Sequence, residues 1–267
     1  MPTLHPIAPT TRVPQDRPPS RSWPRGLFPY AAHLAARVVP CVLLGLGLLA
    51  AAGARAADAP QPGPGIHYLY LIRHGAYDHD ASADDRRGNG LNALGHLQAR
   101  LLGDRLARLP VRLTSLVSSD FTRARETADE IGRVLGMTPE RDSLLHECTP
   151  TSERAELLRN RTREVVALCD SNLAAAWAKY ARPSPEADAR DVLVCHGNVI
   201  RWFVSRALGS DTGRWAAMEI ANASLTVIAV RADGSTRLVL FSDVGHLPVE
   251  EQTWTGRGAG WGGAPAH

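Results

Sequence analysis

Ile66-His67-Tyr68-Leu69-Tyr70-Leu71-Ile72-Arg73-His74-Gly75 is the stretch on which the fold turns. Apolar and aromatic residues dominate up to Ile72, as in a strand covered on both faces, and the run ends on a charged pair and a glycine. Ligands of open α/β sheets sit outside the carboxyl ends of the strands, so Arg73 and His74 are expected to face a cleft. The same syntax recurs in Asp191-Val192-Leu193-Val194-Cys195, a second short buried strand that ends in His196-Gly197-Asn198 before a helical pattern. Between them Val117-Ser118-Ser119 closes a third strand, which runs into a helix whose first turn carries Arg123. A helix start with unpaired N–H groups, an arginine and two strand-end histidines together make an anion site.

Outward from these strands, Asp78 to Gly90 is polar and is expected to form a mobile loop over the cleft. His79 and its acidic neighbours show no metal-ligand spacing. Asn92 is a helix N-cap, with Leu94, Leu97, Leu101, Leu102, Leu106 and Leu109 at helical spacing until Pro110. Leu113 to Ser118 is a strand, and Ala124, Ala128, Ile131 and Leu135 mark the buried face of a helix ending at Gly136. One long helix is expected from Glu153 to Arg182, buried through Leu157, Val165, Leu168, Leu173, Ala176 and Tyr180. Val199, Ile200, Phe203, Val204 and Leu208 make another, closed by Gly209. Ser224 to Arg231 and Ser235 to Ser242 flank Ala232-Asp233-Gly234, a hairpin signal. The fold class is therefore α/β, a three-layer sandwich with a mostly parallel central sheet, at least one antiparallel strand and helices on both faces.

Four motifs in order, Arg73-His74-Gly75, Leu91-Asn92-Ala93-Leu94-Gly95 with Gln98-Ala99, Ser118-Ser119 with Arg123-Ala124 and Thr127-Ala128, and Cys195-His196-Gly197-Asn198, resemble the histidine phosphatase (phosphoglycerate mutase-like) superfamily over about residues 66 to 249. Tyr77, Leu144-Leu145-His146-Glu147 with Pro150, and Asn198-Val199-Ile200-Arg201 are similar to the pattern of its mitochondrial Ser/Thr protein phosphatase branch. The chain departs from the common pattern at Tyr77 and Asp80, where many members place other phosphate-shell residues, and at Asn92, where Thr is common.

Phosphoryl transfer needs an in-line nucleophile and positive donors around the equatorial oxygens. Arg73, Arg123 and His196 are the expected clamp, with Asn198 a further phosphate-binding residue. A neutral imidazole is a competent nucleophile once its other nitrogen is fixed, and a strand-to-glycine turn offers a backbone carbonyl for that. Spacing does not separate the two histidines. The resemblance implies that His74 is the nucleophile, that His196 contacts the phosphoryl group and that Glu147 is the acid protonating the leaving oxygen. It implies a metal-independent phosphomonoesterase with no cofactor, acting on phosphorylated small molecules or phosphoproteins. Two alternatives are mutase-type transfer and a non-catalytic scaffold of the same fold. Only 49 positions separate Glu147 from His196, which leaves little room for a substrate-enclosing insertion and favours water as acceptor.

The chain of 267 residues, 44% hydrophobic, is long enough for one sizeable core. Residues 1 to 56 hold six arginines against one aspartate, so the remainder carries a formal charge of −2 and offers no sign of a nucleic-acid groove. Residues 1–56 are expected to be a disordered basic leader and a signal or anchor, 57–65 a linker, 66–249 the catalytic domain and 250–267 a flexible tail. The uncharged run Val38 to Ala54, with Ala54-Arg55-Ala56 after it, reads as a secretory signal and implies a periplasmic or secreted domain; left uncleaved, residues 38–54 would anchor it to the membrane. Cys148, Cys169 and Cys195 are taken as buried thiols, with Cys148 and Cys169 the pair that an oxidising location would permit to bridge.

Overall fold

The computed structural model describes residues 64–84 and 87–254, so the expected leader, the apolar run and most of the linker lie outside the described residues. Six strands form one sheet in the order β3-β2-β4-β1-β5-β6, with β1 (His67–Arg73), β2 (Ser115–Ser118), β3 (Glu140–Arg141), β4 (Ala189–Cys195), β5 (Leu225–Val230) and β6 (Thr236–Asp243). β1 pairs with β4 in parallel and with β5 antiparallel, β2 runs parallel to both β3 and β4, and β5 and β6 form the antiparallel hairpin that Ala232-Asp233-Gly234 announces. Gly234 takes φ of 79°, the left-handed conformation that the turn requires.

Alternation along the strands separates two cores. Leu69, Leu71, Leu193, Cys195, Ile228 and Val230 pack with Leu173, Phe203 and Val204, from α3 (Arg163–Tyr180) and α4 (Gly197–Ala207). On the other face Ile72, Val192, Val194 and Leu116 pack with Leu102, Leu106, Ala128 and Ile131, from α1 (Ala93–Ala107) and α2 (Thr122–Leu135). Helices thus cover both faces, as a sheet with apolar residues on both sides demands.

α1 starts at its expected cap, Asn92, whose side chain accepts from Gly95 N at 2.9 Å, but it does not bury a leucine stripe throughout. Its buried face runs Gly95, Gln98, Ala99, Leu102, Gly103 and Leu106, because small residues bring the helix axis close to its neighbours. A Cβ on Gly95 would lie 2.0 Å from Ala76 O, so the turn after His74 packs directly on this helix. α2 ends at Gly136, φ 66°, as the sequence suggests.

The single long helix expected from Glu153 to Arg182 is not formed. A short 3-10 turn, Ala155–Leu158, precedes α3, which begins at Arg163 because Thr162 caps it and accepts from Val165 N at 3.4 Å. Its buried residues are Cys169, Leu173, Ala176 and Tyr180, while Val165 and Leu168, expected inside, are 48% and 61% exposed. Cys169 orients that face, since it is bonded to Cys148, and of the three expected buried thiols only Cys195 is free and buried. Residues 250–254, assigned to the tail by sequence, are packed: Gln98 Nε2 donates to Glu251 O at 2.7 Å, and Ala221 bridges Trp254.

Candidate active site

Strand register brings the motifs together. Arg73 lies opposite Cys195 and Ser118 opposite Val194, so the residues that follow each strand, His74, His196 and Ser119, emerge side by side at the carboxyl edge. His74 N donates to Cys195 O at 3.1 Å, and Ser119 N to Val194 O at 3.0 Å, which continues the ladder one step past the strands. The centroids of the His74 and His196 rings are 5.1 Å apart.

The His74 ring is held at both nitrogens. Nδ1 bonds the Gly75 carbonyl at 2.9 Å and so carries the proton, while the lone pair on Nε2 accepts from Arg123 Nε at 3.1 Å. The backbone beneath it is as constrained: His74 O accepts from Ala223 N at 3.1 Å and from Asn222 Nδ2 at 3.2 Å, and Gly75 N donates to Thr127 Oγ1 at 3.0 Å. Thr127 Oγ1 in turn donates to the Arg123 carbonyl at 2.7 Å, one helical turn back. Gly75 tolerates no side chain, because a Cβ there would meet Gly95 O at 2.5 Å.

Arg73 is buried and donates through Nη1 to the Ile220 carbonyl. Burial lowers its pKa to about 10, with Arg201 and Arg123 adding to the fall and Glu147 opposing it, so it stays charged at neutral pH. Arg123 also lies low through burial, and its guanidinium stacks 5.1 Å from the Tyr77 ring and 5.2 Å from that of Phe121. Both histidines are held well below the ordinary imidazole range, first by burial and then by neighbouring positive groups, which for His74 are Arg73 and Arg123. They are therefore neutral at pH 7. His196 Nε2 bonds Ser119 Oγ at 2.9 Å, while its buried Nδ1 has no hydrogen-bond partner among the described residues.

Glu147 stands on an irregular segment after the 3-10 turn Ser143–Leu145 and is half-buried. Its Oε1 accepts from Asn198 N at 3.3 Å. Burial raises its pKa above the usual carboxylate value, against the opposing pull of Arg73, Arg123 and Arg201. The Asn198 side chain is committed elsewhere: Nδ2 donates to Cys148 O at 2.9 Å and Oδ1 accepts from Arg201 at 3.1 Å. Beside it opens a cleft of about 320 Å³ lined by Thr149, Arg154, Leu157, Arg201, Trp215 and Glu219. A larger one, about 570 Å³, lies against α1 and His246 and contains none of the site residues.

The residues singled out for the site, Arg73, His74, Arg123, Glu147, His196 and Asn198, thus cluster at the carboxyl edge of the sheet, although only Asn198 of them lines the cleft beside it. Sequence reasoning did not foresee Ser119 as the partner of His196, Thr127 as the tie between α2 and Gly75, Asn222 beneath His74, or the Tyr77 and Phe121 rings against Arg123. Thr127 carried a faint signal, a polar residue on the Ala124–Ala128 face; Asn222 carried none. Glu126 accepts from Leu91 N at 2.6 Å and holds the approach to α1. Among the described residues no group of three or more His, Cys, Asp or Glu side chains is arranged to hold a metal ion.

An anion cradle of this kind, a strand-end histidine whose Nε2 lone pair is turned to an arginine, with a second guanidinium group and a second histidine beside it on a mixed α/β sheet, defines a phosphoryl-transfer protein of the histidine phosphatase kind. The family model of the histidine phosphatase superfamily (branch 1) matches residues 69–152 and 149–244, and the chain belongs to that superfamily. Among its relatives are the serine/threonine-protein phosphatase PGAM5, mitochondrial, of Xenopus tropicalis, 34% identical over 188 residues, covering 69% of this chain and 67% of that protein, and its Homo sapiens counterpart, 34% identical over 191 residues, covering 70% and 65%. The chain spans about two thirds of the length of these relatives. A mycobacterial glucosyl-3-phosphoglycerate phosphatase shares the fold, with a TM-score of 0.50, 22% identity, and coverage of 66% of this chain and 99% of that one.

These relatives also correct the expected location. They are mitochondrial proteins by name, not secreted or periplasmic ones, so the signal-peptide and periplasm readings are withdrawn. The physical reason is that an Arg-rich, acid-poor leader is also the composition of organelle-targeting segments, so the leader's charge does not single out export. Among the described residues no helix is long and apolar enough to cross a membrane; Val38 to Ala54 lies outside them.

Proposed function

We propose that the chain is a phosphomonoesterase that works through a phosphohistidine at His74 and acts on phosphoproteins. The observation that carries this reading is the His74 ring, whose Nδ1 is tied to Gly75 O while Nε2 faces Arg123. A phosphate ester bound there would replace the Arg123–His74 bond, with its equatorial oxygens on Arg73 and Arg123 and on the free Nδ1 of His196. Nε2 attacks phosphorus, the bond to the leaving oxygen breaks, and Glu147, whose pKa burial shifts upward, gives that oxygen a proton. Water then attacks the phosphohistidine, Glu147 takes its proton back as general base, and phosphate leaves. The catalytic domain in this reading is 66–249, with packed chain continuing to Trp254.

The names of the relatives support a phosphorylated Ser or Thr side chain as substrate, and the open cleft beside Asn198, with Arg154, Arg201 and Glu219, suits a polar flanking segment. Mixing enzyme with p-nitrophenyl phosphate in excess chelator should give a stoichiometric burst of p-nitrophenol and an acid-labile phosphoenzyme. A panel of phosphoserine and phosphothreonine peptides against sugar and nucleotide phosphates then tests the substrate class. Absence of a phosphoenzyme, or turnover only with 2,3-bisphosphoglycerate, overturns the phosphatase reading; turnover confined to small phosphates overturns only the phosphoprotein assignment.

A further inference from the structure

Glu147 has no regular element of its own. The segment from Asp142 to Thr151 contains one 3-10 turn and otherwise irregular backbone, and the carboxyl keeps one long hydrogen bond, from Asn198 N at 3.3 Å. Around the carboxyl, His146 Nε2 bonds Asp120 at 3.1 Å and Cys148 O accepts from Asn198 Nδ2 at 2.9 Å, and α3 holds the segment at three further points. At its start, Asp142 accepts from Tyr180 at 2.6 Å and from Lys179 at 2.8 Å while capping the 3-10 turn through Leu144 N. At its end, Asp170 accepts from Thr151 N at 3.0 Å and from its hydroxyl at 2.6 Å. Nearest to the carboxyl, on the very next residue, Cys148 is covalently bonded to Cys169. Cys169 is 2% exposed and lies on the buried stripe of α3, so the bridge anchors the neighbour of Glu147 to the core itself. The bonds that orient His74 and His196 run instead to Gly75, Arg123 and Ser119, which belong to the strand ends and α2.

We infer that the Cys148–Cys169 bridge is a positioning device for Glu147, so that protonation of the leaving group, and not phosphate binding or attack by His74, depends on the oxidation state of this pair. The inference rests on Glu147 being the proton donor. Cys148 is only half-buried, which leaves the bridge open to a small dithiol. One thiolate of the dithiol attacks a bridge sulfur and forms a mixed disulfide; its second thiol displaces the protein sulfur and closes the reductant's own disulfide. Two cysteine thiols remain, carrying the two protons and two electrons the dithiol has given up. The segment then keeps its hydrogen bonds to Asp120, Asn198, Asp170, Lys179 and Tyr180 but loses its one covalent tie, and a displacement of about 1 Å at a reacting group is enough to cost up to about a hundredfold.

The test uses the full chain, oxidised and after dithiothreitol, and measures the phosphoenzyme-forming step in single turnovers with an alkyl phosphate and with p-nitrophenyl phosphate. Reduction should slow the alkyl substrate roughly tenfold or more and the aryl substrate by less than about threefold, because only the first leaving group needs the acid. Reoxidation should restore the rate, Cys148→Ser/Cys169→Ser should match the reduced enzyme and ignore the dithiol, and Glu147→Gln should show no further loss on reduction. Equal slowing of both substrates, or no slowing of either when intact mass shows two new thiols, overturns the inference, and the wild-type arm decides this even if the double variant fails to fold. Should Glu147→Gln itself lack a leaving-group dependence, the proton-donor reading fails first; should it show one while reduction does not, only the positioning role is lost.

Discussion

His74 and Glu147 lie beside the same two guanidinium groups, Arg73 and Arg123, on supports of opposite kinds. His74 ends a central strand, its carbonyl is bonded twice, its ring is bonded at both nitrogens, and the turn after it is wedged against α1. Glu147 hangs on irregular chain and is located by ties to α3 and to the first turn of α4. The nucleophile is thus set by its place at the end of a sheet ladder, reinforced by the side chains of Arg123, Asn222 and Thr127, while the acid has no ladder beneath it and depends on links that can be cut one at a time. Damage to the first should therefore be indifferent to leaving group; damage to the second should depend on it.

The largest effect is expected at the rigid side. His74→Ala should abolish turnover and the acid-labile, alkali-stable phosphoenzyme together, since no other group stands in line; a variant that still accumulates phosphohistidine would move the nucleophile elsewhere, with His196 the first candidate. Arg123→Ala comes next. It removes an equatorial donor and the partner of His74 Nε2, so kcat should fall roughly 10²- to 10³-fold for aryl and alkyl phosphates alike. A selective loss on alkyl phosphates would mean that Arg123 serves the acid instead of the cradle.

Glu147→Gln sharpens the contrast directly. It keeps the shape of the side chain and removes the proton, so phosphoenzyme formation should slow roughly a hundredfold or more with an alkyl phosphate and much less with p-nitrophenyl phosphate. Equal slowing of both would reassign the acid.

The same contrast explains what the sequence disclosed. Strand-end residues were legible because a short apolar run ending in Arg-His-Gly or His-Gly-Asn is a local pattern, and parallel pairing of such strands puts their ends together. The supports were not, because Ser119 meets His196 across 77 positions and Asn222 meets His74 across 148, and no periodicity encodes such a pairing. Glu147 itself was found through a family motif, not from its own surroundings. The face of α3 was misread for a related reason: Val165 and Leu168 fit a helical stripe, but the stripe that is buried is the one carrying Cys169, whose bond to Cys148 is a tertiary fact. Location was misread because the leader's composition fits more than one destination.

The smallest effect is on stability, and the two supports should give it opposite signs. The pKa values of His74 and His196 in the folded chain lie below the ordinary 6.5, so between their folded values and about pH 6.5 the unfolded chain binds more protons than the folded one. Stability from this pair is fully present above about pH 6.5 and is lost as the pH falls toward the folded values. Glu147 is raised above 4.5 by burial, so from that pH upward the unfolded chain has lost a proton that the folded chain still holds, and stability declines as the pH rises through the folded value. Denaturant midpoints measured from pH 4.5 to 8 should show the first trend removed in His74→Gln/His196→Gln. Glu147→Gln should show the second removed and be more stable than wild type at pH 7. A Glu147→Gln chain that is less stable than wild type at pH 7 would mean that the carboxylate is held ionised by Arg73 and Arg201, and it would leave the leaving group without this donor.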